Sequence, residues 1–300
     1  MTPRGVWRIL RLPLVISPVA DIVAGYAAAT IWNRGTFVWQ QAALLAGVSA
    51  GLYLFGMVEN DLVDVRRDRL MGVRRPLIVG EIGVVGAVVL LLVTLALAAA
   101  CASQLVGGAL ALAIAALAAI NFYNLGAKRG PTYVAMTVMG LCRLLNFGIG
   151  VAAVVGISKD AGFELLLPSG PLWARLGVAI FFTTFIVTGY SISARNGFKV
   201  STRPWQWAFV ITALVGFGLI AMSTVSAWQL GARLENKQFV PPIARVFAAL
   251  LLPALWPGGL WSATGPERKP AEYAPFIERT LYWMVAMDAA FVLDALLRAH

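Results

Sequence analysis

Sixteen residues near the first quarter of the chain read Asn60-Asp61-Leu62-Val63-Asp64-Val65-Arg66-Arg67-Asp68-Arg69-Leu70-Met71-Gly72-Val73-Arg74-Arg75. The three aspartates recur at i, i+3 and i+7, so a helix would carry their carboxylates on one face. Like charges on one face repel, and carboxylate oxygens suit Mg²⁺, an ion that commonly holds phosphate-bearing substrates. Because an apolar stretch precedes the block, the spacing points to diphosphate chemistry beside a membrane.

The composition is that of a polytopic membrane protein. Hydrophobic residues make up 60% of the 300 residues and charged residues only 13%, which no ordinary soluble domain matches. The net charge of +10 comes from basic residues scattered through short loops, which argues against a nucleic-acid partner. The two cysteines lie in apolar segments and the single histidine is terminal, so disulfide, zinc and histidine-based chemistry are excluded.

Apolar segments long enough to cross a bilayer recur along the whole chain and predict an all-α bundle of about nine transmembrane helices in one domain, residues 1–300. The predicted spans are 13–32, 39–58, 82–102, 104–122, 131–156, 172–191, 205–228, 241–260 and 276–297. Pro253 and Pro257 would kink or shorten the eighth.

Loop charges predict the orientation. With nine spans, sixteen basic residues fall on the side of the N-terminus and seven on the other, with Arg143 inside the membrane. By the positive-inside rule the N-terminus and the acidic block face the cytoplasm, and the C-terminus lies on the opposite side.

Charged residues within spans mark either a site or a buried pairing. Arg143, followed one turn later by Asn146, is the clearest case, and the others are Asp21, Asp288 and Asp294. One interpretation is that these ions pair with one another and lock the bundle. Asp21 could instead orient an acceptor. For the acidic block, the alternative to metal binding is a solvated helix whose acids are neutralised by the interleaved arginines.

Several motifs resemble the UbiA superfamily of intramembrane prenyltransferases. The resemblance lies in the pattern Asn60-Asp61-x-x-Asp64-x-x-x-Asp68, in Arg75-Pro76-Leu77-Ile78-Val79-Gly80, and in Asn121-Phe122-Tyr123-Asn124-Leu125-Gly126-Ala127-Lys128. Two further stretches resemble the EboC branch of the superfamily, namely Ala20-Asp21-Ile22-Val23-Ala24-Gly25-Tyr26 and Gly140-Leu141-Cys142-Arg143-Leu144-Leu145-Asn146.

The resemblance implies Mg²⁺-dependent transfer of an isoprenyl group from a prenyl diphosphate to a small-molecule acceptor within the bilayer. Asn60, Asp61, Asp64 and Asp68 would hold the metal. By position in these motifs, Asp61, Asp64 and Lys128 would be catalytic, and Lys128 and Arg75 would contact the diphosphate. Beyond the resemblance, we expect Arg195 among the catalytic residues and Arg143, Arg195, Asn196 and Lys199 among the diphosphate contacts. Fixed positive charge and Mg²⁺ would stabilise the departing pyrophosphate, and exclusion of water would protect the allylic cation.

The sequence departs from the superfamily pattern at two places. Relatives carry a second aspartate-rich motif after the sixth span, but residues 189–203 contain no carboxylate and are strongly basic. Three explanations stay open. In the first, Arg195 and Lys199 replace the second metal. In the second, catalysis is lost and the protein binds or delivers a lipid-linked intermediate, and in the third the loop is basic for topological reasons alone. In the first span, Arg11-Leu12-Pro13-Leu14-Val15 also lacks the amide that relatives carry.

Overall fold

The structure is a computed structural model that describes residues 2–33 and 35–155, together with isolated positions 177, 180, 181, 184, 185, 187–189, 285, 288, 289 and 292. The regular secondary structure of the described part is helical, with no strand. Up to residue 155 it comprises six α-helices, namely α1 (Pro3–Leu10), α2 (Ile16–Trp32), α3 (Trp39–Leu70), α4 (Val84–Ala102), α5 (Gly107–Leu125) and α6 (Thr132–Val155). Single 3₁₀ turns cover Leu12–Leu14 and Ala127–Arg129.

Five described segments are long and apolar enough to cross a membrane, the first of them comprising α1 and α2 together. They correspond to the first five predicted spans. The outward face of α4 is apolar, since Val85 is 79% and Leu92 is 59% exposed, as expected for a lipid-facing helix. The protein is therefore an integral membrane protein. The last four predicted spans lie outside the described residues, apart from isolated positions, so the count of nine stays a prediction.

Helix α3 is longer than the predicted span 39–58. Its 32 residues extend about 48 Å at 1.5 Å per residue, well beyond the roughly 30 Å of a hydrocarbon core. Asp61 lies about 33 Å along this helix, beyond the roughly 30 Å that a hydrocarbon core would span. The membrane span and the site are therefore parts of one rigid element.

The crossing of α2 and α6 positions the middle of the bundle. Gly25 packs against the backbone carbonyl of Phe147, and Gly150 packs against that of Ile22, so close that a Cβ at either glycine would overlap the facing helix. Small residues allow this approach between membrane helices. Ile22, Leu45, Val48 and Ile149 then meet in one buried cluster, which fixes α2, α3 and α6 relative to one another.

Helix α1 is a short amphipathic helix that the sequence analysis did not anticipate. It begins at Thr2, whose side-chain hydroxyl accepts from the backbone N–H of Gly5, a normal N-cap. Its inner face buries Ile9 against Val58 and Ile82, while Trp7 is 56% exposed. The helix therefore lies against the end of α3 that carries the acidic block.

Candidate functional site

The acidic block is helical, and its carboxylates are buried. Asp61, Asp64 and Asp68 lie on one face of α3 and are only 2%, 3% and 4% exposed. The spacing therefore has the predicted geometry. The carboxylates are buried rather than solvated, although the interleaved Arg67 lies beside Asp64 and Asp68, so metal binding stays a prediction. Buried carboxylates require compensating charge or hydrogen bonds.

Lys128 reaches this face from the 3₁₀ turn after α5. Its Nζ lies 2.9 Å from Oδ2 of Asp64 and also donates to Oδ1 of Asn60 at 2.9 Å. Its side chain is 4% exposed, as is that of Asp64. The sequence-predicted Lys128, Asn60 and Asp64 are thus in direct contact, and a buried ammonium group lies within the site.

Two arginines approach Asp61 from separate loops. Arg75, which follows α3, places Nη1 3.8 Å from Oδ1 of Asp61 and Nε 3.5 Å from Oδ2 of Asp68. Arg11 donates from Nη2 to Oδ1 of Asp61 at 3.1 Å. Arg75 was expected at the site from its motif, whereas Arg11 was counted among the basic residues on the N-terminal side and noted in a first-span stretch that departs from the superfamily pattern.

Arg11 has a backbone conformation that suits this role. It ends α1 in the left-handed region, with φ 48° and ψ 46°, which is uncommon for any residue other than glycine. Strained backbone is maintained where surrounding contacts compensate for it, often at functional sites. Here the turn directs the chain from α1 into α2 while the side chain contacts buried Asp61.

Two further arginines complete the ring of positive charge. Arg67 lies 3.4 Å from Oδ2 of Asp64 and 4.0 Å from Oδ1 of Asp68. Arg129 lies 4.0 Å from Oδ1 of Asp64 and donates to the carbonyl of Val63. Both are more exposed than Lys128, so their pairings contribute less to stability.

Two buried oxygens on the acidic face remain available for a metal ion. Oδ2 of Asp61 and Oδ1 of Asp64 have no hydrogen-bond partner in the described part of the chain. Mg²⁺ is typically held by one or two carboxylates, substrate phosphates and water, so these two atoms, one helical turn apart, fit such an ion. Among the described residues no three acidic, histidine or cysteine side chains form a preformed metal cage.

The other two predicted ligands have protein partners. Oδ1 of Asn60 accepts from Lys128, and the carboxylate of Asp68 lies between Arg67 and Arg75. Metal ligation by all four residues stays a prediction. Within that set, Asp61 and Asp64 have free oxygen atoms.

A buried hydrogen bond behind the acidic face connects α5 to α3. Nδ2 of Asn124 donates to Oε2 of Glu59 at 2.7 Å and to the carbonyl of Gly56 at 3.0 Å. Asn124 is 3% and Glu59 is 8% exposed. Asn124 belongs to the stretch that ends at Lys128, so this contact holds the chain segment that delivers the lysine.

The intramembrane ions form a second polar cluster. Nη1 of Arg143 lies 2.6 Å from Oδ2 of Asp21, and its Nη2 donates to the hydroxyl of Ser17. Asn146 donates to the carbonyl of Pro18 at 2.7 Å. Asp288 is also fully buried. The pairing interpretation is therefore confirmed for Arg143 and Asp21.

The predicted diphosphate contact by Arg143 stays a prediction, because its described ionic partner is Asp21. Arg195, Asn196, Lys199 and Asp294 lie outside the described residues, so their predicted roles also stay predictions.

Comparison with known proteins identifies the fold. No protein-family model matches the chain. A UbiA homologue from Aeropyrum pernix K1 superimposes with a TM-score of 0.61 at 18% identity, covering 95% of this chain and 98% of the other. The chain has the UbiA fold. At this identity the likeness establishes the architecture alone.

Two further structures with the UbiA fold resemble the chain over nearly its whole length. A UbiA homologue from Archaeoglobus fulgidus, bound to dimethylallyl diphosphate (DMAPP) and Mg²⁺, gives a TM-score of 0.54 at 17% identity, covering 96% of this chain and 99% of the other. A structure described as digeranylgeranylglyceryl phosphate synthase gives 0.53 at 14% identity, with 98% of each chain covered. The all-α prediction and the resemblance to UbiA proteins therefore agree with the fold.

Proposed function

We propose that the protein is a membrane-embedded prenyltransferase that moves an isoprenyl group from a prenyl diphosphate to a small-molecule acceptor. One observation carries the proposal: two buried carboxylate oxygens that accept no hydrogen bond from the described residues, on Asp61 and Asp64, lie beside the buried ammonium of Lys128 in a UbiA fold. This arrangement offers ligands for a divalent cation and a cationic donor for phosphate oxygens on the same face. The UbiA homologue from Archaeoglobus fulgidus binds DMAPP with Mg²⁺, which supports the same ligand class here.

The proposed mechanism assigns separate tasks to the residues of this chain. Asp61 and Asp64 would hold Mg²⁺, which when bound supplies Lewis-acid stabilisation of the leaving pyrophosphate. Lys128, Arg75 and Arg11 donate hydrogen bonds to the diphosphate oxygens. These interactions are strong because the acidic face and Lys128 are almost completely shielded from water. The same shielding protects an allylic cation from hydrolysis.

Other elements of the proposal extend beyond the described residues. Arg195, Asn196 and Lys199 would add positive charge where other superfamily members carry a second acidic motif. The protein would be a single domain of nine spans with its site on the cytoplasmic side, the C-terminus opposite, and would belong to the EboC-like branch. These statements rest on the loop charges and the sequence motifs.

A second candidate function is binding or delivery of a lipid-linked intermediate without catalysis. The observation that favours it is the absence of any carboxylate in the sequence of residues 189–203, which leaves a second divalent ion without an anionic ligand. Such a protein would retain the diphosphate site but release no pyrophosphate.

The discriminating experiment is a Mg²⁺-dependent donor screen with purified protein in liposomes. Geranyl, farnesyl and geranylgeranyl diphosphate would be offered with a panel of phenolic and lipid acceptors, and released pyrophosphate would be measured. The proposal predicts release by the wild type and a loss of about 100-fold or more in Asp64→Asn. Glu81→Gln is the matched control, because Glu81 pairs with Arg8 away from the acidic face.

The outcomes separate the two candidates. Release that depends on Asp64 supports the enzyme. No pyrophosphate release with any donor and acceptor, together with binding of a prenyl diphosphate, supports the carrier. Release that is equal in Asp64→Asn and wild type contradicts the assignment of the site.

A further inference from the structure

Positive side chains outnumber the carboxylates that they contact at the acidic face. Carboxylate oxygens of three aspartates lie within 4.0 Å of five basic side chains, namely Arg11, Arg67, Arg75, Lys128 and Arg129. If Glu59 is added to the acids, the described cluster still has one positive charge in excess. The protein itself therefore neutralises its aspartates and leaves positive charge available.

The hydrogen-bond donors of Arg75 and Lys128 also favour the binding of an anion at this site. Nε of Arg75 is a buried donor with no hydrogen-bond partner in the described part of the chain. Lys128 carries three donor hydrogens, and its described acceptors are Asp64 and Asn60. Buried donors without acceptors are unfavourable, and a phosphate group would supply several acceptor oxygens.

The degree of burial determines how strongly an anion would be held. Lys128 is 4% exposed, and Arg11 and Arg75 are 27% and 34% exposed. Charges that are shielded from water interact more strongly and are screened less by salt than those on an open surface. A site with only carboxylates would repel a diphosphate until metal ions had neutralised it, but this site carries its own cations.

We propose that this site binds the diphosphate end of an isoprenyl lipid without any divalent metal ion. Lys128, Arg75 and Arg11 supply the binding charge, and the free oxygens of Asp61 and Asp64 accept a divalent ion only as a separate component. The inference rests on the proposed function for the class of ligand. It goes beyond that function by separating diphosphate binding from metal binding.

The test measures binding rather than turnover. Purified protein in detergent is titrated with geranyl diphosphate by calorimetry, once with Mg²⁺ and once with excess EDTA, and the titrations are repeated with inorganic pyrophosphate. The expected result is binding in EDTA within about tenfold of the Mg²⁺ value, weakened by added salt. Pyrophosphate alone should also bind in EDTA if the headgroup site suffices, and geranyl diphosphate should bind more tightly if the chain contributes.

Variants identify the groups responsible. Lys128→Met and Arg75→Gln should each weaken binding in EDTA by at least about tenfold, whereas Arg69→Gln, at an exposed position of α3, should have no effect. Arg75→Gln keeps the test decisive if Lys128→Met fails to fold, because the side chain of Arg75 is one-third exposed.

Each alternative result has a defined meaning. Binding in Mg²⁺ but none in EDTA overturns the inference and leaves the proposed function intact. No binding in either condition overturns both. Binding in EDTA that neither site variant weakens overturns the inference, because other residues would then hold the anion.

Discussion

Two ion pairs of equal length differ sharply in burial, and they should respond very differently to loss of the arginine. Arg143 and Asp21 are 2.6 Å apart with side chains 12% and 0% exposed, whereas Arg8 and Glu81 are also 2.6 Å apart but 38% and 23% exposed. At 2.6 Å the attraction is about 6 kcal/mol at an effective dielectric constant of about 20, and about 1.6 kcal/mol in bulk water.

Arg143→Met should lower the free energy of unfolding by about 3 to 4 kcal/mol, because it leaves a buried carboxylate without its counter-ion. The loss of stability has an upper limit of about 4 kcal/mol, because Asp21 can take up a proton instead, and protonating an ordinary carboxylate at pH 7 costs about that much. Arg8→Met should cost about 1 kcal/mol or less, because an exposed pair is screened and must order two side chains.

The comparison is made by SDS titration of the purified protein in mixed micelles, followed by far-UV circular dichroism. The double variant Asp21→Asn with Arg143→Met removes the stranded charge, so it should be more stable than Arg143→Met alone. Equal losses for Arg143→Met and Arg8→Met would refute the assignment of Arg143 to a buried, tightly paired position.

Three further predictions concern the packing around the site. Gly150→Ala should lower the thermal midpoint in detergent by an amount that corresponds to about 1 to 3 kcal/mol, because a Cβ there overlaps the backbone of α2. Gly148→Ala should be tolerated, because the nearest neighbour of a Cβ there is a flexible leucine side chain 3.4 Å away. Equal midpoints for the two variants would contradict the close crossing of α2 and α6. Asn124→Ala should cost about 2 kcal/mol in SDS titration, because it removes the buried donor to Glu59, and an unchanged unfolding free energy would contradict that contact. Arg11→Gly should be more stable than Arg11→Ala by about 1 kcal/mol in the same titration. Both variants lose the ion pair with Asp61, but only glycine adopts the positive φ of this position without strain. If Arg11→Ala were the more stable variant, the left-handed conformation at residue 11 would be wrong.

The local part of the site was predictable from the sequence because it depends on helical periodicity. Asp61 and Asp64 are one turn apart on any helix, and an apolar lead-in places that helix at the membrane boundary. Lys128 was expected through its motif, and it contacts Asp64 at 2.9 Å. Sequence alone could not show that the carboxylates are buried, since burial depends on elements that pack over α3.

Contacts between distant segments were the part that could not be predicted. Arg11 meets Asp61, and Asn124 meets Glu59, only because the helices pack in a particular arrangement. For Arg143 the sequence allowed either a structural pairing or a ligand contact. The α2 to α6 crossing brings it to Asp21, and the ligand contact stays a prediction. Helix α1 was missed because its eight residues are too short to register as an apolar span.

The most direct test of the central claim is a crystal structure with geranyl diphosphate and Mn²⁺ in place of Mg²⁺. The anomalous signal of the metal should lie beside Oδ2 of Asp61 and Oδ1 of Asp64, which accept no hydrogen bond from the described residues. The diphosphate should contact Lys128. A metal and diphosphate bound elsewhere, with the contact of Lys128 to Asp64 unchanged, would contradict the assignment of this acidic face as the diphosphate site.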